Sequence, residues 1–283
     1  MLRVGLVDHH LNNWHADTFI RLLRGPLAAE EVVVTAAWES NPTGEDWCEK
    51  NAVRRAESIE DAIRDADAVM LLAPDNMDVH LLFAEAVLPA GKPTLIDKFL
   101  APTVEEARQI VEIATRHGTP ILSASGLRYA VELEAAMPAF EANPPTEGRF
   151  TGMGVWSGYG VHTVTMALRV FGPDVKRVID TGTPTARTVT LDYGDGRRAV
   201  VDVREASNGY EALGWSFIAK TGSEYVGAKI ADYDGFYANL MRRACAFFKT
   251  GEPDMPLSEA LATISVLEAA DRSQACGGVW VDA

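Results

Sequence analysis

The chain has 283 residues, of which 47% are apolar and 23% are charged. This is the composition of a globular protein with a sizeable core and not of a disordered chain, and the length suits two domains. Lysine and arginine number 26 against 40 acidic residues, which gives a net charge of −14. Because such a surface repels phosphate backbones and anionic lipids, we expect neither nucleic acid nor a membrane as a partner.

The cysteines favour a reducing compartment. Cys48, Cys245 and Cys276 lie far apart, and no C-x-x-C pair occurs. This pattern argues against a disulfide framework and against a structural zinc site. The first residues carry too short an apolar run for a signal peptide, and no stretch reaches the ~20 apolar residues of a membrane span. We therefore expect a cytoplasmic protein.

In the first half of the chain, short apolar runs alternate with amphipathic segments. The predicted strands are 2–7, 32–37, 68–73, 94–96 and 121–122, and the predicted helices are 14–24, 80–88 and 104–117. Thr103 and Glu106 have the spacing of a capping box, and Gly118 supplies a stop. Repeated strand–helix–strand units predict a Rossmann-like, doubly wound parallel sheet with helices on both faces.

The second half has a different pattern. The predicted strands are 149–156, 175–180, 188–193, 199–205 and 215–219, and the predicted helices are 162–171, 236–249 and 258–275. The Gly-Asp-Gly run at 194–196 suits a hairpin turn. We therefore predict a doubly wound α/β domain over 1–122, followed by an α+β domain with a largely antiparallel open sheet over 123–283.

Three segments resemble the glucose–fructose oxidoreductase/inositol dehydrogenase (Gfo/Idh/MocA) family. Residues 90–101 (A-G-K-P-T-L-I-D-K-F-L-A) are similar to the family segment A-G-K-x-V-x-x-E-K-P-L-A. Residues 158–162 (G-Y-G-V-H) are similar to its D-x-G-x-H segment, and residues 256–281 resemble its closing helix and strand. The order and spacing of these segments extend the resemblance over essentially the whole chain.

The resemblance implies a function as well as a fold. It implies an NAD- or NADP-linked oxidoreductase that acts on a sugar, polyol or related hydroxy compound and assembles as a homo-oligomer through the open sheet. Lys98 and His162 match the family's lysine and histidine, which implies that they are catalytic proton-transfer groups.

Further positions align with the family's ligand-binding segments or lie at the carboxyl ends of predicted strands, and Glu39 falls near the family's ribose-binding acidic residue. The implied cofactor-binding residues are Asp8, His10, Asn13, Glu39, Pro74, Asn76, His80 and Asp97. The implied substrate-binding residues are Arg128, Tyr129 and Tyr159. Asp8, His9, His10 and His15 near the first strand are residue types that can bind metals. Their spacing matches no metal motif, so we predict no metal site.

The chain departs from the family at its phosphate loop. The family's G-x-G-x-x-G glycines align with Asp8, His10 and Asn13, although glycine is what lets the backbone approach a diphosphate. Asp8 also adds a negative charge, which at ~4 Å and an effective dielectric of ~20 repels a second unit charge by roughly 4 kcal/mol. Gly158 similarly replaces the carboxylate of D-x-G-x-H.

These departures leave three hypotheses open. The first is an NAD(P)-dependent oxidoreductase of the family type. The second is a non-redox descendant, either a lyase or isomerase or a ligand-binding regulatory protein, that has lost dinucleotide binding. The third is an interaction protein that uses only the exposed face of its second sheet.

Overall fold

The computed structural model describes residues 1–205 and 214–283. Backbone contacts divide the chain into two units: Met1–Ala124 with Leu240–Leu257, and Ser125–Asn239 with Ser258–Ala283. The change from the first unit to the second after Ala124 lies close to the domain boundary predicted after residue 122. The segment Leu240–Leu257 belongs to the first unit, whereas the sequence pattern assigned it to the second domain.

The first unit is built on a parallel sheet. Its elements are β1 (Leu2–Asp8), α1 (Trp14–Arg24), β2 (Val32–Glu39), α2 (Trp47–Lys50), β3 (Arg54–Arg55), α3 (Ile59–Ile63), β4 (Ala68–Leu71), α4 (His80–Val87), β5 (Thr94–Ile96), α5 (Val104–His117) and β6 (Ile121–Leu122). The strand order is β3-β2-β1-β4-β5-β6, with parallel pairing throughout. The predicted doubly wound parallel sheet is confirmed, and its strand order reverses between β1 and β4, where such sheets bind ligands.

Local capping explains why the helices of the first unit begin and end where they do. The Asn13 side chain accepts a hydrogen bond from the backbone N–H of Ala16 at the start of α1. The Thr103 hydroxyl does the same for Glu106 at the start of α5, and Gly118 ends α5 with a φ of 62°. Both helices have the bounds that the sequence pattern predicts, because a cap side chain satisfies a backbone donor that the helix itself leaves free.

The sequence pattern missed α2, β3 and α3. These elements have only four, two and five residues, so none of them contains the full hydrophobic period on which a prediction depends. Their one usable signal is capping, since Asp46 and Ser58 each accept a backbone hydrogen bond at the start of a helix.

The second unit contains a mixed, mostly antiparallel sheet. Its elements are α6 (Val131–Ala142), β7 (Glu147–Met153), α7 (Trp156–Phe171), β8 (Arg177–Asp180), β9 (Ala186–Asp192), β10 (Arg198–Arg204), β11 (Trp215–Thr221), β12 (Glu224–Ile230), the first residues of α8 (Tyr233–Thr250), nearly all of α9 (Leu257–Ala275) and β13 (Val281–Asp282). The strand order is β12-β11-β7-β10-β9-β8-β13, and only the β7–β10 pair among these neighbours is parallel. The predicted α+β fold is confirmed.

Helix α7 packs across this sheet and begins earlier than predicted. The sequence pattern placed its start at His162, but the helix begins at Trp156 and continues through Gly158 and Gly160. A Cβ on Gly160 would lie 2.8 Å from the Trp156 ring, so glycine allows that ring to lie against the helix. His162 consequently lies in the second turn of α7 and not at its start.

We expect Gly5→Ala to destabilise the first unit. A Cβ at Gly5 would lie 2.6 Å from the carbonyl oxygen of Ala62, so strand β1 and helix α3 would have to separate. Overpacking of this kind costs about 1–3 kcal/mol of unfolding free energy. The control is Gly158→Ala, since no atom lies within 4 Å of a Cβ there and alanine favours a helix by up to about 1 kcal/mol. Urea unfolding measures both variants, and a Gly5→Ala protein as stable as the parent would contradict the packing argument.

Candidate functional site

Lys98 lies directly after β5, at the carboxyl end of the parallel sheet. Only 8% of it is exposed, and its Nζ donates a hydrogen bond of 3.0 Å to the carbonyl oxygen of Pro74, which follows β4. The Lys98–Phe99 peptide bond is cis. The ammonium group is therefore held at the ends of two neighbouring strands, the edge at which open parallel sheets bind their ligands.

Asp97 anchors the segment that carries Lys98. One carboxylate oxygen accepts the backbone N–H of Lys98 at 2.8 Å, and the other lies 2.5 Å from Nδ1 of His15 on α1. Burial alone would raise the pKa of Asp97, but the charge and hydrogen bond of His15, with the neighbouring Lys98, lower it overall. Asp97 is thus an ionised carboxylate, and both of its oxygens are bound by protein groups. His15, one of these partners, was not among the site residues predicted from the sequence.

The segment after β4 supplies the other predicted residues of this edge. The carbonyl oxygen of Pro74 is the acceptor for Lys98, and the buried side-chain Oδ1 of Asn76 has no hydrogen-bond partner among the described residues. His80 is fully buried, with Nε2 2.8 Å from the carbonyl oxygen of Leu72 and Nδ1 3.2 Å from that of Leu100. Burial lowers the pKa of His80, although the carbonyl oxygens of Leu100 and Leu72 at its ring nitrogens oppose this effect.

Asp8 ends β1 and is completely buried. Its Oδ1 accepts backbone N–H groups from His9 at 2.7 Å, from His10 at 3.3 Å and from Ala73 at 3.1 Å. Its Oδ2 accepts Nδ2 of Asn13 at 2.8 Å. A single carboxylate therefore gathers donors from the β1–α1 loop and from the end of β4.

Burial also controls the ionisation of this carboxylate. Removal from water raises the pKa of Asp8 to about 7, the hydrogen bonds from Asn13, His9 and Ala73 oppose the rise, and the charge of Asp97 adds to it. Near neutral pH the folded protein therefore contains both the charged and the neutral form of this side chain.

The remaining donors of the β1–α1 loop are also paired within the protein. Asn13 accepts the N–H of Ala16 and donates to the carbonyl oxygen of His10. The backbone N–H of Leu11 donates to Oε2 of Glu39 at 2.7 Å, while Oε1 of Glu39 pairs with Arg55 at 2.9 Å. Both carboxylate oxygens of the predicted ribose-binding residue are thus engaged.

A diphosphate at this position needs free backbone N–H groups at the start of a helix and a glycine that allows close approach. Here the N–H groups of His9, His10 and Leu11 donate to carboxylates, and that of Ala16 donates to the Asn13 cap. The side chain of Asp8 stands where the glycine is required. The residues of this loop therefore do not fit the diphosphate of a nicotinamide dinucleotide.

In the second unit, His162 is buried on α7 among aromatic rings. Its Nδ1 lies 2.7 Å from Oγ of Ser125, and its ring centroid lies 5.6 Å from that of Tyr159 and 5.9 Å from that of Trp215. Oγ of Ser125 also accepts the backbone N–H of Leu127 at 3.2 Å, so its position is fixed from two sides. Ser125 thus orients the imidazole in place of the absent carboxylate, a role that sequence reasoning did not predict.

Arg128 and Tyr129 lie in the interior of the second unit. The guanidinium of Arg128 pairs in a bidentate manner with Glu259 of α9, at 2.7 and 2.8 Å, and only 2% of Arg128 is exposed. Tyr129 is fully buried, and its carbonyl oxygen accepts Nδ2 of Asn239. The predicted arginine is therefore the cation of a buried ion pair whose acidic partner the sequence pattern did not reveal, and its role toward a substrate stays a prediction.

Two further kinds of site are not found. Within residues 1–205 and 214–283, no three histidine, cysteine or acidic side chains converge to hold a metal ion. No helix in the same ranges combines the length and the apolar character needed to span a membrane.

We expect the stability contributed by Asp8 to fall as pH rises. Folding raises its pKa from an ordinary 3.8 to about 7, so between those values the folded state holds the proton more tightly than the unfolded chain, and the advantage shrinks with rising pH. From pH 5 to pH 8 the unfolding free energy of Asp8→Asn should therefore gain about 2–3 kcal/mol relative to the parent.

The matched control for this prediction is Asp67→Asn. The hydrogen bond from Arg3 lowers the pKa of Asp67 to about 2, so its ionisation does not change above pH 5. Urea unfolding at pH 5 and pH 8 measures both variants. A stability difference for Asp8→Asn that is the same at both pH values would contradict the assigned pKa.

We expect Arg128→Met to destabilise the protein by about 3–5 kcal/mol, because it leaves the carboxylate of Glu259 buried without its cation. The double variant Arg128→Met/Glu259→Leu should recover most of this loss, since no unpaired charge remains. Arg54→Met, which breaks the exposed pair with Asp61, should cost less than about 1 kcal/mol. Thermal and urea unfolding compare the three, and equal losses for both single variants would refute the buried pair.

Comparison with known proteins agrees with the fold. Residues 6–124 match the sequence model of the GFO_IDH_MocA family, described as an oxidoreductase family with an NAD-binding Rossmann fold. The chain is 22% identical over 214 residues to the uncharacterized oxidoreductase YdgJ of Escherichia coli K12, which covers 68% of this chain. The matched parts span 60% of the length of YdgJ and 39% of that of a second relative, YhhX.

Solved structures extend the likeness over both units. A probable dehydrogenase from Thermotoga maritima superposes with a TM-score of 0.86 at 17% identity, covering 99% of this chain and 98% of its own. A putative myo-inositol dehydrogenase from Sinorhizobium meliloti 1021 gives 0.84 at 17% identity, covering 100% and 99%. The family match therefore covers residues of the first unit, and the fold of these solved structures is shared along the whole chain.

Proposed function

We propose that this chain is an oxidoreductase-family enzyme that acts on a sugar, polyol or related hydroxy compound, with Lys98 and His162 as its proton-transfer groups. The observation that carries the proposal is the buried Lys98 after β5, whose ammonium donates to the carbonyl oxygen of Pro74 and whose backbone N–H donates to Asp97. The likeness in fold to a structure named as a myo-inositol dehydrogenase supports a polyhydroxylated substrate.

Lys98 is suited to bind the oxygen of the reacting carbon. One of its three N–H donors is used by Pro74, and its surroundings are largely shielded from water, which strengthens a charge-assisted hydrogen bond. As a substrate hydroxyl loses its proton, the ammonium stabilises the developing negative charge on that oxygen. Asp97 fixes the backbone of Lys98 and thereby the position of its side chain.

His162 is suited to exchange a proton. The hydrogen bond between Nδ1 of His162 and Oγ of Ser125 orients the ring, and we propose that the imidazole exchanges a proton at its other nitrogen, Nε2. The rings of Tyr159 and Trp215 beside the imidazole give a substrate an apolar environment at this position. Tyr159 is half-buried beside the imidazole, and we propose that it contacts the substrate. Arg128 and Tyr129, which are buried, remain our other proposed substrate-binding residues.

NAD or NADP is the cofactor that the family implies, and when bound it would supply the hydride acceptor. Since the β1–α1 loop does not fit the diphosphate, we assign to the chain's own residues only the handling of protons. Because the N–H groups of this loop already donate to Asp8 and Glu39, a second candidate is favoured. It is a non-redox descendant of the family that is a lyase, an isomerase or a ligand-binding regulatory protein. Lys98 has the same oxygen-binding role if that descendant is an enzyme.

The proposal also covers the substrate, the location and the assembly of the enzyme. We propose a small, sugar-like substrate, a cytoplasmic location and a homo-oligomer that forms through the open sheet of the second unit. The exposed side chains of Ile218 on β11 and Tyr225 on β12 support an interface on this sheet, because large apolar groups at a protein surface favour association.

We expect Lys98→Met to lower kcat/KM by about 10²–10⁴-fold on any accepted polyol or sugar, because it removes the charged hydrogen bond to the reacting oxygen. The surface variant Lys50→Met is the matched control and should retain parental rates. A panel of polyols and sugars, each with NAD⁺, with NADP⁺ and without cofactor, is followed by NMR of the products and by absorbance at 340 nm.

The outcomes separate the two candidate functions. Product that forms with a stoichiometric rise in absorbance supports the oxidoreductase, and product without such a rise supports the non-redox enzyme. His162→Asn should lower kcat and remove one limb of the pH–rate profile, whereas loss of a merely structural histidine would leave the shape of that profile unchanged. Parental turnover by Lys98→Met would overturn the proposal.

A further inference from the structure

We propose that the Asp8 side chain is a built-in occupant of the anion site at the start of α1, so that this loop is closed to a diphosphate unless Asp8 is removed. The inference rests on the geometry of the first unit and does not depend on the proposed function. It assigns to Asp8 a role opposite to the cofactor-binding role that the family resemblance implies.

The donors that Asp8 gathers are those that a phosphate group would use. Two come from consecutive backbone N–H groups of the loop after β1, at His9 and His10, and a third comes from Ala73 after the neighbouring strand β4. Successive backbone N–H groups at a strand–helix turn form a concave site for anions. Here the concavity holds two carboxylate oxygens that are covalently part of the chain.

Ala73 shows that the surrounding backbone conforms to this occupant. It has a φ of 49°, a left-handed conformation that is unfavourable for a residue with a side chain. In this conformation its N–H points to Oδ1 of Asp8, 3.1 Å away. The hydrogen bond to the carboxylate compensates for a backbone geometry that alanine rarely adopts.

The second anchor of a dinucleotide is closed in the same way. An acidic residue at the end of the second strand is the group that would bind a ribose hydroxyl, and Glu39 ends β2. Its two oxygens accept the N–H of Leu11 and the guanidinium of Arg55, and 6% of the residue is exposed. Asp8 and Glu39, which align with the family's cofactor-binding positions, therefore accept hydrogen bonds from the N–H groups of the β1–α1 loop instead.

The closure does not require Asp8 to be charged. With a pKa of about 7, Asp8 is present in both protonation states near neutral pH, and either form fills the same volume and accepts backbone N–H groups. Repulsion of a phosphate by the carboxylate adds to the exclusion but is not its origin. An isosteric neutral side chain should consequently keep the loop closed.

The test measures the binding of inorganic pyrophosphate and of NAD⁺ by titration calorimetry to the full chain and to two variants. Asp8→Gly removes the occupant and frees the three N–H groups, so we expect it to bind pyrophosphate at least about tenfold more tightly than the parent. Asp8→Asn removes the charge but keeps the occupant, so it should bind no better than the parent.

Three outcomes would overturn the proposal. They are saturable pyrophosphate binding by the parent with the affinity of Asp8→Gly, a folded Asp8→Gly that gains no affinity, and an Asp8→Asn that binds as tightly as Asp8→Gly. Circular dichroism and thermal unfolding establish that each variant is folded. If Asp8→Gly does not fold, an NMR titration of the parent decides: amide shifts at His9, His10 and Ala73 that saturate with pyrophosphate contradict closure, and unchanged shifts support it.

This experiment is independent of catalysis. Pyrophosphate binding requires no turnover, so a Lys98→Met protein that keeps its activity would refute the proposed function and leave the closed loop intact. Conversely, a parent that binds pyrophosphate would refute the closed loop and strengthen the assignment of a dinucleotide-dependent oxidoreductase.

Discussion

The hydrogen bonds that converge on the Asp8 carboxylate are the interaction on which the ligand-binding edge of the first unit depends. They join the loop after β1 to the end of β4 at the place where the strand order of the parallel sheet reverses. In an open sheet of this kind the crevice between the two strands is the natural ligand site. A buried carboxylate without these donors would be very unfavourable, so the loop and the side chain stabilise each other.

Buried polar pairs of the same kind occur in both units. Asp97 is fully buried between His15 and the backbone of Lys98, and in the second unit Arg128 and Glu259 form a bidentate pair that is shielded from water. Each pair is satisfied only in one arrangement, because the low local dielectric makes an unpaired partner costly. Lys98 therefore has a defined position on a rigid edge, which is what proton transfer to a bound substrate requires.

The overall fold and the ability of the β1–α1 loop to bind a diphosphate depend on different features of the chain. Residues 6–124 match a family with a Rossmann fold, and the parallel sheet with its strand order depends on the hydrophobic pattern of many residues. The ability to hold a diphosphate depends on a few backbone N–H groups and on the absence of a side chain. A single residue such as Asp8 can change that ability and leave the fold intact, since function resides in the site and not in the architecture.

The sequence by itself determined the two sheets, the bounds of α1 and α5, and the position of Lys98 after a buried strand, because these follow from hydrophobic period, caps and strand–helix alternation. It also revealed that Asp8 replaces a glycine, and it predicted loss of close approach and charge repulsion, but not the hydrogen bonds that the carboxylate accepts. The partners Ala73, Ser125 and Glu259 were decided by the tertiary structure alone, since Ala73 lies 65 residues from Asp8 and Glu259 lies 131 residues from Arg128 along the chain. Hydrogen bonds over such separations leave no local pattern, and only the folded strands and helices bring their donors and acceptors together.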